Sequence, residues 1–269
     1  MQLQILLGIY AAVLGLIVGS YLNVVIYRLP LGISTVFPRS RCPGCGTAIR
    51  AFDNVPVLSF LLLRGRCRQC GAGISWRYPA VEAATAALFL ACYLRFGISL
   101  EAPVAALFAA LMLALAMIDY DHMILPDKLT YPGIALGLLL QPLVPWARLG
   151  GGPWGAVAGA ALGAALGAGV LLAVWIAWYL WRREEGMGLG DVKMLALIGA
   201  FLGWKGVLVA LFFGALSGAA VGLTLMGVRG LDFKAKLPFG VFLALGGLIA
   251  LFAGEPLVRA YAAYAQLSP

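Results

Sequence analysis

Long apolar runs separated by short polar stretches dominate the chain. The runs lie at about 3–27, 80–96, 102–120, 128–147, 154–181, 192–204, 206–228 and 237–254. Most of them approach or exceed the ~20 residues that an α-helix needs to cross a bilayer, although the run at 192–204 is short for a crossing. The pattern predicts an all-α polytopic membrane protein with about eight transmembrane helices.

Composition agrees with this fold class, because the chain is 63% hydrophobic and only 11% charged. A soluble domain does not have that balance. The first run lacks a basic n-region and a small-residue cleavage site, so we interpret it as a retained anchor and not a signal peptide. We expect a first transmembrane helix at 1–28, a cytoplasmic insert at 29–79 and a transmembrane helical core at 80–269.

The basic residues favour one side of the eight-span arrangement. Fifteen of the 19 lysines and arginines fall on the side of the 29–79 insert, and only four fall on the other. The positive-inside rule makes the first side cytoplasmic and places the N-terminus outside. The net charge of +8 is therefore a topology signal and does not predict nucleic-acid binding. The residues on the opposite side are Arg95, Arg148, Lys205 and Arg259.

Four cysteines of the insert form two C-x2-C pairs, each followed by glycine. They are Cys42, Cys45, Cys67 and Cys70. Two such turns can build a tetrahedral four-sulfur site, which suits zinc. The alternatives are two disulfides or unligated thiols, and a reducing cytoplasm disfavours disulfides. Because cysteine fills all four positions, we predict a structural zinc ion; Cys92, in the second span, is interpreted as a small core residue.

Two aspartates lie where apolar runs meet polar sequence. Asp119 ends the run before the string IDYDHMILPD, and Asp191 lies in EEGMGLGDVK, just before the next run. Carboxylates at helix ends that face one membrane boundary can form an aspartyl-protease pair, in which one activates water and the other protonates the leaving group. Asp121 falls on another helix face, and capping of the next helix is sufficient to explain Asp127.

Glycines surround the second aspartate and line one later span. Gly186, Gly188 and Gly190 precede Asp191, so the backbone there can adopt positive φ or lie close to another segment. We assign Gly188, Gly190 and Lys193 to a loop that supports the site. A second series recurs every four residues, which allows close helix packing. We favour packing inside one subunit, and the alternative is a homodimer seam. This stripe consists of Gly151, Gly155, Gly159, Gly163 and Gly167.

In combination, these motifs resemble the bacterial type IV prepilin peptidases, which are GxGD-type membrane aspartyl proteases. The matching strings are IDYD at 118–121 with LPD at 125–127, GLGDVK at 188–193, GSYLNVVIYRLP at 19–30, the four-cysteine insert, and PFG at 238–240. The GxGD string alone is shared with presenilin-like proteases. One departure is Val241, where many relatives carry proline after PFG.

The resemblance implies a bifunctional enzyme of the bacterial inner membrane. It implies removal of the basic leader of type IV prepilins and type II secretion pseudopilins, after a glycine, on the cytoplasmic face. It further implies N-methylation of the new terminus with S-adenosylmethionine as methyl donor. The family's two catalytic aspartates map to Asp119 and Asp191, and the cysteine insert is typical of bifunctional members. Neither the substrate-binding nor the methyl-donor residues follow from these strings.

Two other function classes fit parts of the sequence. A transporter or channel could use the two aspartates as a proton or cation relay. Its site should lie near the bilayer midplane, whereas both aspartates fall at span ends. A zinc-ribbon assembly factor without enzymatic activity would leave the aspartates unexplained. A metalloprotease of the HExxH type is excluded because His122 is the only histidine, and we interpret His122 as an interfacial residue.

Helix dipoles give the two aspartates different expected roles. Asp119 ends its span, where the dipole opposes ionisation, and Asp191 begins its span, where the dipole favours the carboxylate. On this basis we expect Asp191 to act as the base toward water and Asp119 to act as the acid.

Overall fold

A computed structural model describes residues 2–144, 146–147, 149, 152–184, 187–229 and 237–265. Within these ranges the chain forms eight α-helices and two short 3-10 turns, Ala51–Asn54 and Gln141–Leu143. The predicted all-α fold is confirmed. The helices are α1 (Gln2–Arg28), α2 (Leu58–Leu62), α3 (Arg77–Phe96), α4 (Glu101–His122), α5 (Asp127–Leu140), α6 (Gly152–Arg182), α7 (Leu189–Arg229) and α8 (Phe239–Tyr264).

Six of these helices, α1, α3, α4, α6, α7 and α8, are long and apolar enough to cross a membrane. Helix α7 contains both predicted runs, 192–204 and 206–228, because it stays helical on either side of a break at Gly203 (φ 67°, ψ −173°). Helix α5 has 14 residues, about 21 Å, which is shorter than a ~30 Å hydrocarbon layer. The chain is therefore a multi-pass membrane protein.

Two predicted boundaries are wrong, and a proline lies near each of them. The run predicted at 128–147 stops being α-helical at Leu140, because Pro142 has no N–H to continue the helix. The last run was expected to end at 254, yet α8 continues through Pro256 to Tyr264. A membrane helix tolerates an internal proline when the freed carbonyl finds another partner.

Contacts between Cα atoms divide the chain into two compact units, residues 1–114 and 115–269. In the first unit, α1 and α3 run antiparallel, and glycine allows their backbones to approach closely. A Cβ at Gly15 would lie 2.6 Å from Ala86 Cα, so no side chain fits there. Cys92 of α3 is fully buried, which agrees with its interpretation as a core residue. The expected division at residues 28 and 79 stays a prediction.

In the second unit, the glycine stripe of α6 packs against α7. A Cβ at Gly163 would lie 2.4 Å from the Gly199 carbonyl oxygen, and one at Gly167 would lie 2.4 Å from the Leu195 carbonyl oxygen. The described part of the stripe therefore serves packing inside one subunit, as expected. Gly151, Gly186, Arg148, Lys234 and Lys236 lie outside the described residues.

Helix α5 and the first part of α7, residues 189–202, form a parallel pair. At one end of the pair, Asp127 contacts Lys193. At the other end, the Gln141 side-chain amide donates hydrogen bonds to the carbonyls of Ala200 and Phe201. The break at Gly203 leaves the last carbonyls of the first part of α7 without helical partners, so the buried Gln141 acts as their cap.

The Gln141 cap generates a stability prediction. Gln141→Leu keeps the side-chain volume but leaves buried carbonyls unpaired, which costs about 1–3 kcal/mol for each group left unsatisfied. We expect a lower thermal unfolding midpoint for the detergent-purified variant by circular dichroism. The exposed Gln4→Leu is the matched control, with a midpoint near that of the unchanged protein. Equal midpoints for Gln141→Leu and Gln4→Leu would show that the cap contributes nothing.

Candidate active site and metal site

Asp119 lies in the last turn of α4, beside a turn that redirects the chain. The Met123 amide donates to the Asp119 carbonyl at 2.8 Å, and Met123 has a positive φ of 52°. This left-handed residue ends the helix in the way that glycine usually does. The chain then passes through Leu125 and Pro126 and begins α5 at Asp127. The Asp119 side chain, although at a helix end, is only 5% exposed.

Asp191 lies in the first turn of α7, which begins at Leu189. Its amide donates to the Gly188 carbonyl at 3.2 Å, and the residue is 8% exposed. The carboxyls of Asp119 and Asp191 are close enough to interact electrostatically. The structure thus brings together two acids that are 72 positions apart in the sequence, each at the end of a membrane helix.

The N-terminus of α8 completes this site. A Cβ built on Gly240 would lie 2.8 Å from Asp119 Oδ2, and the amides of Gly240 and Val241 face the same carboxyl. No N–H reaches Oδ2 in hydrogen-bonding geometry, so Oδ2 is buried without a partner among the described residues. A buried acceptor left open in this way is available to a proton or a water molecule.

Leu125 fills the space between two glycines of the site. Its Cβ lies 3.0 Å from a Cβ built at Gly190, and its Cδ1 lies 3.2 Å from one built at Gly240. Neither Gly188 nor Gly190 has a positive φ. Glycine is therefore needed at position 190 because Leu125 approaches it closely, and not because of its backbone conformation. Leu125 and Gly240 have no predicted role from sequence alone, although they belong to the LPD and PFG strings.

Lys193 joins α7 to α5 at the edge of the site. Its ammonium pairs with the Asp127 carboxylate and lies 5.6 Å from the centre of the Tyr131 ring. The capping role expected for Asp127 is wrong, because Pro126 occupies the N-cap position and no side-chain cap bond forms there. Asp121 and His122 are both exposed, and the exposure of Asp121 agrees with its predicted position on a different face of α4 from Asp119.

The four predicted cysteine ligands converge in the first unit. All four Sγ atoms lie within 4.8 Å of one another, and the Cys42 and Cys70 sulfurs are 3.8 Å apart. A tetrahedral metal with bonds of about 2.3 Å to sulfur requires sulfur–sulfur separations of about 3.8 Å. All four residues are free thiols and form no disulfides. The cluster can therefore hold one metal ion.

The two halves of the cluster are built alike. The Cys42 amide donates to the Thr47 carbonyl at 2.9 Å, and the Cys67 amide donates to the Ala72 carbonyl at 2.8 Å. Gly46 and Gly71 hold equivalent positions with φ of 70° and 71°, which glycine adopts without strain. The glycine that follows each C-x2-C pair is thus required by the turn.

Backbone and side-chain donors tune the sulfurs for metal binding. The Thr47 hydroxyl and then its amide lower the pKa of Cys45 to about 6. The amides of Cys70 and Gln69 lower the pKa of Cys67. The Ala72 amide acts to lower the pKa of Cys70, but the neighbouring thiols and burial outweigh it and raise that pKa to about 11. These hydrogen bonds favour thiolates at Cys45 and Cys67, and a cation bound among the four sulfurs would stabilise such thiolates further.

Similar proteins identify the family. Residues 13–96 match the Bacterial Peptidase A24 N-terminal domain, and residues 106–223 match the Type IV leader peptidase family. A prepilin leader peptidase/N-methyltransferase of Pseudomonas putida is 39% identical, covering 96% of this chain and 93% of its own. One of the same name from Burkholderia pseudomallei is 40% identical, covering 92% and 85%. No solved structure matches significantly. The chain belongs to the type IV leader peptidase family.

Proposed function

We propose that the chain is a membrane aspartyl endopeptidase that removes the leader of type IV prepilins and pseudopilins and then N-methylates the new terminus. The observation that carries the peptidase proposal is the convergence of Asp119 and Asp191, both buried and both at helix ends. The names of the similar proteins support both activities. The family match gives a transporter or channel no support.

The two carboxyls fit general acid–base hydrolysis of a peptide bond. In the reaction, one carboxylate accepts a proton from water while the water oxygen attacks the scissile carbonyl carbon. The other carboxyl group donates its proton to the leaving nitrogen, and the C–N bond breaks. Burial at a helix end excludes bulk water, which strengthens the interaction of both carboxyls with the reacting atoms.

The position of the site supports the proposed orientation. Both aspartates belong to terminal turns of membrane helices, so the scissile bond should lie near a membrane boundary and not at its centre. The basic excess on the side of the insert supports a cytoplasmic site in a bacterial inner membrane. Cleavage after a glycine, and contact with lipid or with a second subunit, stay predictions.

For the cofactors, we propose a structural zinc ion in the four-cysteine cluster and S-adenosylmethionine as methyl donor. The sulfur spacing supports zinc, and since Cys42, Cys45, Cys67 and Cys70 would fill all four positions, the ion would have no open position for catalysis. When bound, the methyl donor would supply an electrophilic methyl group to the new amino terminus. The names of the similar proteins support the methyl-transfer step.

The first prediction about function tests the peptidase with a membrane-embedded prepilin in proteoliposomes. Asp119→Asn and Asp191→Asn should each lower the cleavage rate by at least ~100-fold, because an amide can neither accept nor donate the required proton. The mass of the prepilin, followed over time, measures leader removal.

Asp121→Asn is the matched control for this experiment, because it changes an exposed carboxyl two residues from Asp119. It should keep most of the activity. Substantial cleavage by either buried-site variant, or an equal loss in Asp121→Asn, would refute the assignment of the catalytic pair.

The second prediction concerns metal content. The purified protein should contain about one zinc ion per chain, and Cys42→Ser or Cys70→Ser should lower that content, because each removes a thiolate ligand. Elemental analysis of each variant measures the metal. Cys92→Ala, which changes the cysteine outside the cluster, should leave the metal content unchanged. Full-length protein that folds without any metal, with all four thiols freely reactive, would contradict the proposal.

The third prediction concerns the ion pair between Asp127 and Lys193. Lys193→Ala should slow cleavage roughly tenfold, because the pair ties the start of α7 to α5 and small misplacements of a catalytic group are costly. Exchanging the charges, in Asp127→Lys with Lys193→Asp, should recover part of the lost rate. Cleavage rates from the same prepilin assay measure both effects. An exchange variant no faster than Lys193→Ala would show that pairing is not what matters.

A further inference from the structure

The first turn of α8 lies directly against the Asp119 carboxyl, at the place where this helix needs a cap. Helix α8 begins at Phe239 after Pro238, and no side chain of that segment caps it. The first amides of a helix have no partner within the helix. The amides of Gly240 and Val241 face Asp119, so a carboxyl from α4 occupies the position of the missing cap.

We propose that Gly240 is a positioning residue for peptide-bond cleavage: its missing side chain lets the start of α8 close onto the Asp119 carboxyl and fixes that carboxyl for reaction. This inference rests on the proposed function, in which Asp119 is catalytic. A Cβ at position 240 would lie 2.8 Å from Oδ2 and 3.0 Å from Cγ of Asp119. Contacts this short force one of the two groups to move.

The surroundings decide which group moves, because α8 is locked against α7. A Cβ at Gly246, within two turns of Gly240, would lie 2.1 Å from the Ala210 carbonyl oxygen, so the two backbones are already in close contact. Leu125 blocks the side of the site, since it touches both the 190 and the 240 positions. A methyl group at 240 would therefore displace the Asp119 carboxyl and not the helix.

The same contact changes the dipole argument from the sequence. The C-terminal end of α4 and the N-terminal end of α8 both act on Asp119, and their dipoles oppose each other there. The dipole of α4 alone is therefore not sufficient to predict that Asp119 is the acid and Asp191 the base. What the structure favours is a fixed position for the Asp119 carboxyl, with Oδ2 held against Gly240 and without a hydrogen-bond partner among the described residues.

Three glycine-to-alanine variants test the inference. Gly240→Ala should lower kcat about 100-fold with KM changed less than about threefold, because a catalytic group shifted by an ångström loses about that much. Gly254→Ala is the matched control, since among the described residues its Cβ would meet only Ala250 Cβ, at 3.8 Å. It should behave like the unchanged protein.

Gly15→Ala supplies the comparison for a general loss of stability. It should lower the unfolding midpoint, yet keep kcat per folded molecule, because it disturbs the packing of α1 against α3, where a Cβ at Gly15 would lie 2.6 Å from Ala86 Cα. If Gly240→Ala also lowers the midpoint, kcat per folded molecule in these two variants is compared directly. A loss of kcat in Gly240→Ala no larger than in Gly15→Ala would overturn the inference.

These experiments distinguish a failure of the positioning role of Gly240 from a failure of the proposed peptidase function. If Asp119→Asn abolishes cleavage and Gly240→Ala does not, the peptidase proposal stands and the positioning role fails. If Asp119→Asn still cleaves, the peptidase assignment itself fails, whatever Gly240→Ala does.

Discussion

Three helix ends must meet around one carboxyl for this chain to place two acids together. Asp119 lies in the last turn of α4, Asp191 lies in the first turn of α7, and the first turn of α8 lies against the Asp119 carboxyl. Charged groups inside a membrane protein are costly unless other groups satisfy them. The N-terminal ends of α7 and α8 reduce that cost, because a helix N-terminus supplies unpaired amides and the positive end of a dipole to a carboxyl that packs against it.

Close backbone packing makes this convergence possible. The α6 glycines hold α7 at backbone contact, and Gly246 does the same between α7 and α8. With no hydrophobic effect between helices in lipid, such van der Waals contacts provide much of the packing energy. The parallel pair of α5 and the first part of α7 is short, and Gln141 satisfies the carbonyls exposed where α7 breaks. Each helix of this pair begins at the active site and ends before it has crossed a full hydrocarbon layer.

The sequence predicts best those features that depend on residues close together in the chain. Hydropathy located the membrane helices, and the spacing of Cys42, Cys45, Cys67 and Cys70 anticipated a cluster that the structure brings together. The strings around Asp119 and Asp191 identified both acids. The sequence did not predict tertiary contacts between distant segments. The Gln141 cap, the Asp127–Lys193 pair and the Gly240 contact are all of this kind. A dipole argument made one helix at a time could not include α8.

Cleavage by water activated directly at the carboxyl pair is the central chemical claim, and isotope labelling tests it most directly. A single turnover of excess enzyme on prepilin in oxygen-18 water should place one labelled oxygen in the new carboxyl of the leader. Direct attack predicts no label in the enzyme. If an aspartate instead formed a covalent acyl intermediate, its hydrolysis could leave the label in Asp119 or Asp191. A leader without label, together with a labelled aspartate in the enzyme, would contradict the account.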